Sequence, residues 1–92
     1  IKQYSFDRAF LGSCGVDMTD LAVTTSGVED GLTKKAAVQS SRHKYVVMER
    51  EKFYFNESYK YTHFDDISGI ITDEFPDDTI VNILRNAGVK LL

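Results

Sequence analysis

The chain has 92 residues, 42% of them hydrophobic and 27% charged, with a formal net charge of −3. That composition excludes a disordered chain, and the length suits one small domain or a piece of a larger one. The 11 Lys and Arg residues are scattered rather than massed, which argues against this segment gripping nucleic acid, and no apolar run approaches the roughly 20 residues of a membrane span.

In chain order, Asp7 to Ser13 reads as a strand, because Ala9, Phe10 and Leu11 form a short apolar run of the kind buried in parallel sheets. Gly12, Gly15 and Asp17 then predict a loop, and the threonine-rich stretch Thr19–Ser26 lacks a helical period. Ser26-Gly27-Val28-Glu29 has the form of a capping box. It predicts a helix running to about Arg42 with Val28, Leu32, Ala36 and Gln39 on one face, although Gly31 costs such a helix about 1 kcal/mol relative to alanine.

Lys44–Met48, β-branched and aromatic, predicts the clearest strand, and Tyr59–Thr62 and Ile67–Thr72 predict two more. Pro76 ends that region. Asp77 and Asp78 open a helix in which Ile80, Ile83, Leu84 and Ala87 recur at helical spacing, with Gly88 placed as a left-handed C-cap. Val89–Leu92 predicts a last strand. Strands separated by helical crossovers imply an α/β fold, layered, with a mostly parallel sheet flanked by helices.

Ligands of such sheets bind beyond the carboxyl ends of the strands, and three segments meet that condition. Gly12-Ser13-Cys14-Gly15-Val16-Asp17 is either a tight turn or a loop whose amides cradle an anion. In Glu49-Arg50-Glu51-Lys52-Phe53 a lysine at a strand end is either a phosphate contact or part of a solvated charged loop. Thr72-Asp73-Glu74 offers carboxylates for sugar hydroxyls or for capping the next helix. Cys14 cannot form an internal disulfide and fits a reducing, cytoplasmic compartment. No base is placed beside it by the sequence, so it reads as a packed cysteine rather than a nucleophile. Two histidines and one cysteine make no metal motif. The aromatic group from Phe53 to Phe64 suits either an interface or core packing.

Taken together, Asp7-Arg8-Ala9-Phe10-Leu11-Gly12-Ser13-Cys14-Gly15-Val16-Asp17 resembles the D-x-A-F-x-G-x-x-G-I-D segment of DeoR-family transcription regulators. Leu21-Ala22-Val23-Thr24-Thr25 is similar to that family's G-L-T-T loop, Glu29 and Lys34 to its E-A-x-V-K helix start, Glu49–Phe53 to D-S-S-K-F, and Ile70–Asp73 to I-I-T-D. The resemblance implies a sensor domain built like ribose-5-phosphate isomerase, no cofactor, and a phosphorylated sugar as effector. It implies DNA binding through an N-terminal helix-turn-helix outside this chain. Residues 1–92 are then the C-terminal part of a single effector-sensing domain, with the opening Ile1 marking a segment that precedes it.

The resemblance places Asp7, Gly12, Gly15, Asp17, Glu29, Lys34 and Lys52 around the ligand, with Lys52 as the first phosphate contact. Against the family pattern, Glu49 replaces an aspartate, Cys14 stands in the glycine turn, and Asp20 replaces a leading glycine. The D-x-G-T-T phosphate loop is not in the chain. A sheet without its early strands has an open edge, which pairing between copies would cover, so a homo-oligomer is expected. An isomerase-like enzyme using Asp7 or Asp17 as base, and an oligomerisation domain with a vestigial pocket, are the other readings. Gly12-Ser13-Cys14, where isomerase relatives carry acidic residues, favours sensing over catalysis.

Overall fold

The computed structural model describes residues 6–92, and the opening Ile1 lies outside them. Two sheets form. Strands β1 (Phe6–Gly12), β4 (Ser41–Val47), β6 (Gly69–Ile71) and β7 (Lys90–Leu91) make a parallel sheet in the order β1-β4-β6-β7. Strands β2 (Gly15–Asp17), β3 (Ala22–Thr25) and β5 (Tyr59–His63) make an antiparallel one. Helix α1 (Val28–Gln39) leads from β3 into β4, and helix α2 (Asp78–Asn86) joins β6 to β7. The layered α/β architecture with a mostly parallel main sheet is therefore present.

The core fills from both sheets and both helices. Leu11, Val46 and Ile70 occupy successive parallel strands, and they cluster with Val23 of β3, Tyr61 of β5, Val38 of α1 and Ile80 and Leu84 of α2. The periodic face expected of α2 is the one it buries, its Asp77 caps Ile80 N at 3.1 Å, and Gly88 takes the left-handed φ of +81°.

Helix α1 departs from expectation. Its N-cap is Gly27, without a side-chain cap bond, so Ser26 and Glu29 form no capping box. Ser26 instead offers its carbonyl to Ser58 Oγ at 3.1 Å. The expected apolar face is turned outward, with Val28 59% and Leu32 54% exposed, and the buried line runs through Gly31 and Val38 with Lys34 half-buried between them. Gly31 makes that possible, because a Cβ there would lie 2.1 Å from Tyr59 Cδ2. The helix stops at Gln39 rather than Arg42, since Ser41 already pairs with Phe6 in the parallel sheet.

The stretches read as loops at Gly15–Asp17 and Thr19–Ser26 contain β2 and β3. Thr24 and Thr25 are buried there with their hydroxyls in use, Thr24 accepting from Glu57 N and Thr25 donating to Asp30. The Tyr59–Thr62 strand is present, but in the antiparallel sheet. The expected Ile67–Thr72 strand is shorter, Gly69–Ile71, with Ile67 N closing the preceding 3-10 turn Phe64–Asp66 by donating to Phe64 O at 3.3 Å.

Candidate functional site

Register decides where the site lies. Gly12 pairs with Val47 and Val47 with Ile71, so three parallel strands end at one level. Ser13 N donates to Val47 O (3.2 Å) and Met48 N to Ile71 O (3.0 Å), carrying the alignment one residue past each strand. Beyond these ends lies a cavity of about 650 Å³ walled by Gly12, Ser13 and Cys14 after β1, by Val47, Met48 and Glu49 after β4, and by Ile71, Thr72 and Asp73 after β6. Lys34 of α1 and Lys52 of the 3-10 turn Arg50–Tyr54 complete the lining.

Each lysine is aimed by its neighbours. Lys34 passes over the Tyr61 ring, 5.7 Å from its centroid, and pairs with Asp30 Oδ2 at 2.8 Å. Lys52 sits 5.1 Å over the Phe55 ring and, among the described residues, makes no ion pair. The turn that carries it is tied down by Asp73, whose Oδ1 accepts from Arg50 N (2.9 Å) and Glu74 N (2.8 Å), while Arg50 Nε donates to Phe75 O. Those amides hold the Asp73 carboxyl below its ordinary value. The opposite holds at the rim, where hydrogen bonding and like-charge repulsion from Glu51 push the Glu49 carboxyl up. Behind the lining, the hydroxyls of Ser13 and of Tyr61 bond to each other, and burial pushes the Tyr61 phenol up to about 12.

Of the residues singled out from sequence, the cavity gathers Gly12, Lys34 and Lys52. The other four lie elsewhere. Asp7 stands exposed near the start of β1, five residues before Gly12 and so about 16 Å away along an extended strand. Gly15 is a packing position, since a Cβ there would meet Phe55 O at 2.3 Å. Asp17 holds the β2–β3 turn by accepting from Thr19 N and Asp20 N, both at 3.0 Å, and it pairs with Lys60 at 3.4 Å. Glu29 is exposed on the first turn of α1.

Sequence reasoning assigned no part in the site to Asp30 or Tyr61. An acid one helical turn before Lys34 was the available signal for Asp30. Nothing in the sequence foretells a tyrosine 48 residues from Ser13 reaching its hydroxyl. Asp73 does not cap α2, a task that falls to Asp77. Among the described residues no cluster of His, Cys, Asp or Glu is arranged to hold a metal ion, and no helix is long and apolar enough to cross a membrane.

A family profile described as the DeoR C terminal sensor domain matches residues 1–74. The chain is similar to the HTH-type transcriptional repressor GlcR of Bacillus subtilis, at 26% identity over 92 residues covering 100% of this chain and 35% of the relative. It is also similar to the uncharacterized HTH-type transcriptional regulator FruR of the same organism, at 29% over 92 residues covering 92% of this chain and 36% of the relative. The glycerol-3-phosphate regulon repressor of Escherichia coli matches at 25% over 91 residues, covering 99% and 36%. The chain spans about a third of the length of these curated relatives. It belongs to the DeoR C-terminal sensor domain family.

Proposed function

We propose that residues 1–92 are the C-terminal part of a single effector-sensing domain in a repressor of a sugar-utilisation operon, and that a phosphorylated sugar enters the cavity beyond β1, β4 and β6. The observation that carries this reading is the convergence of Lys34 and Lys52 on strand-end backbone, where the open α/β sheet places its ligands. A lysine without an ion pair is a point charge available to phosphate, and the carboxylates and amides around it suit sugar hydroxyls. The relatives bearing HTH-type names support DNA binding through a part of the protein outside this chain, which implies a cytoplasmic setting. Pairing between copies through the outer edge of β1 would make it a homo-oligomer.

The domain senses and does not catalyse. Asp7 and Asp17, the bases an isomerase reading would use, lie outside the cavity lining. A second reading is favoured only by Glu49, a carboxyl of raised proton affinity at the rim, which would be the base of an isomerase.

The test is calorimetric titration of the intact protein with phosphorylated hexoses, pentoses and trioses, with turnover followed by NMR. Saturable binding without conversion is expected, and Lys52→Ala should weaken it by about 10–100-fold, the worth of one hydrogen bond to a charged group. Conversion of any sugar phosphate would establish the Glu49 reading instead. Undiminished binding by the Lys52 variant would remove that residue from the site.

A further inference from the structure

Resting on that reading of the cavity, the second lysine raises a question of regulation. Lys34 lines the cavity with its side chain only 18% exposed, yet its Nζ is already 2.8 Å from the Asp30 carboxylate. The same Asp30 oxygen is held by the sheet as well, since Oδ2 also accepts from Thr25 Oγ1 of β3 at 2.8 Å. The Lys34 and Thr25 bonds keep its carboxyl below the ordinary value, so it stays ionised wherever the protein is folded at neutral pH. Among the described residues, an anion entering the cavity therefore meets Lys52, which makes no ion pair, and Lys34, which is occupied.

We propose that Asp30 is a built-in competitor for Lys34 that sets the concentration at which the sensor responds to its anionic effector. Full engagement of both lysines requires the ligand to take Lys34 from Asp30, leaving that carboxylate close to the bound anion. Both effects weaken binding. With its Asp30 carboxylate 54% exposed, the pair stays screened by water and is worth little, so a phosphate can displace it and the competition tunes affinity without abolishing it. Asp30 touches Lys34 and Thr25 and is absent from the cavity lining, so it acts on the ligand through Lys34.

The experiment uses inorganic phosphate at pH 8 with the intact protein, reading dissociation constants from the amide resonances of Gly12 and Ser13. Asp30→Asn keeps an oxygen to accept from Thr25 and removes the charge. It should bind phosphate about three- to tenfold more tightly than the parent, the combined scale of a broken surface ion pair and a lost like charge a few ångströms away. In a Lys34→Met background, which keeps the aliphatic stem over Tyr61, most of that gain should vanish. A gain that persists undiminished there would be through-space repulsion alone and would overturn the competition. Weaker binding by Asp30→Asn would make Asp30 a support for Lys34, and would overturn it too. Unchanged affinity in the variant removes the inference but leaves the cavity as the effector site, whereas failure of the parent to bind phosphate removes both.

Discussion

Gly31→Ala is the substitution for which helix propensity and packing give opposite signs. In an exposed helix alanine is better than glycine by about 1 kcal/mol. Here the new methyl would lie 2.1 Å from Tyr59 Cδ2 and 2.4 Å from Cε2. Carbon atoms sit at about 3.5–4.0 Å when in contact, so the ring or the helix must move by more than an ångström. Tyr59 of β5 is paired with Thr25 of β3, which leaves its backbone little room to retreat. Overpacking of this kind costs about 1–3 kcal/mol, and the net effect is a destabilisation of up to about 2 kcal/mol. The helix is the part that yields, carrying Lys34, one turn further on, away from the cavity. The denaturation midpoint of the intact protein should fall and phosphate affinity should fall with it. Tyr59→Ala removes the obstacle, and in that background Gly31→Ala should become stabilising by up to about 1 kcal/mol. A Gly31→Ala variant more stable than the parent, with Tyr59 in place, would refute the packing argument.

Two further outcomes concern pH. Burial raises the Tyr61 phenol from 10 to about 12, so the unfolded chain releases that proton near pH 10 while the native state retains it to about 12. Stability should therefore decline with rising pH across that window, by roughly 3 kcal/mol in total from this group; urea midpoints between pH 9 and 11 should flatten in Tyr61→Phe, and an unaltered slope would count against the burial. Asp73 behaves in the opposite sense: held low by the Arg50 and Glu74 amides, it stabilises fully above its unfolded value and loses that contribution as pH falls through its lowered one. Asp73→Asn should thus be less stable than the parent at pH 6 and the gap should close as the pH falls through the lowered Asp73 value, and a gap independent of pH would show that the carboxylate charge is not what ties the turn.

What the sequence disclosed depended on whether packing is done by side chains that are there or by ones that are missing. Helix α2 was legible because its burial rests on Ile80 and Leu84, one turn apart and with Ile83 half-buried between them, and on Asp77 as an explicit cap. The face of α1 was not, because its closest contact is made by the absent side chain of Gly31, while Val28 and Leu32 point outward. Strands β2 and β3 were hidden for a related reason: buried threonines look like loop residues until partners such as Glu57 N and Asp30 are known. At the strand ends, local pattern singled out Gly12 and Lys52, both of which line the cavity. The motif string also supplied Gly15 and Asp17, which the structure uses to seat Phe55 and to shape a turn. A family string lists residues that line the cavity and residues that pack or turn the scaffold alike, and only geometry separates them.

The placement of the two lysines bears on how binding could be passed on. An effector shifts an equilibrium only through contacts that differ between the two states. The strand-end backbone at Gly12, Val47 and Ile71 is locked into a hydrogen-bonded sheet and has little freedom to differ. Lys34 and Lys52, by contrast, ride on α1 and on the Arg50–Tyr54 turn, neither of which is part of that sheet. The turn is in turn joined to α2, since Tyr54 Oη donates to Asp77 Oδ2 at 3.0 Å and the same carboxylate caps Ile80 N. An anion that draws both lysines inward therefore acts on the positions of α1, the turn and the start of α2 against a fixed sheet, and these are the elements through which a sensor of this construction can report occupancy.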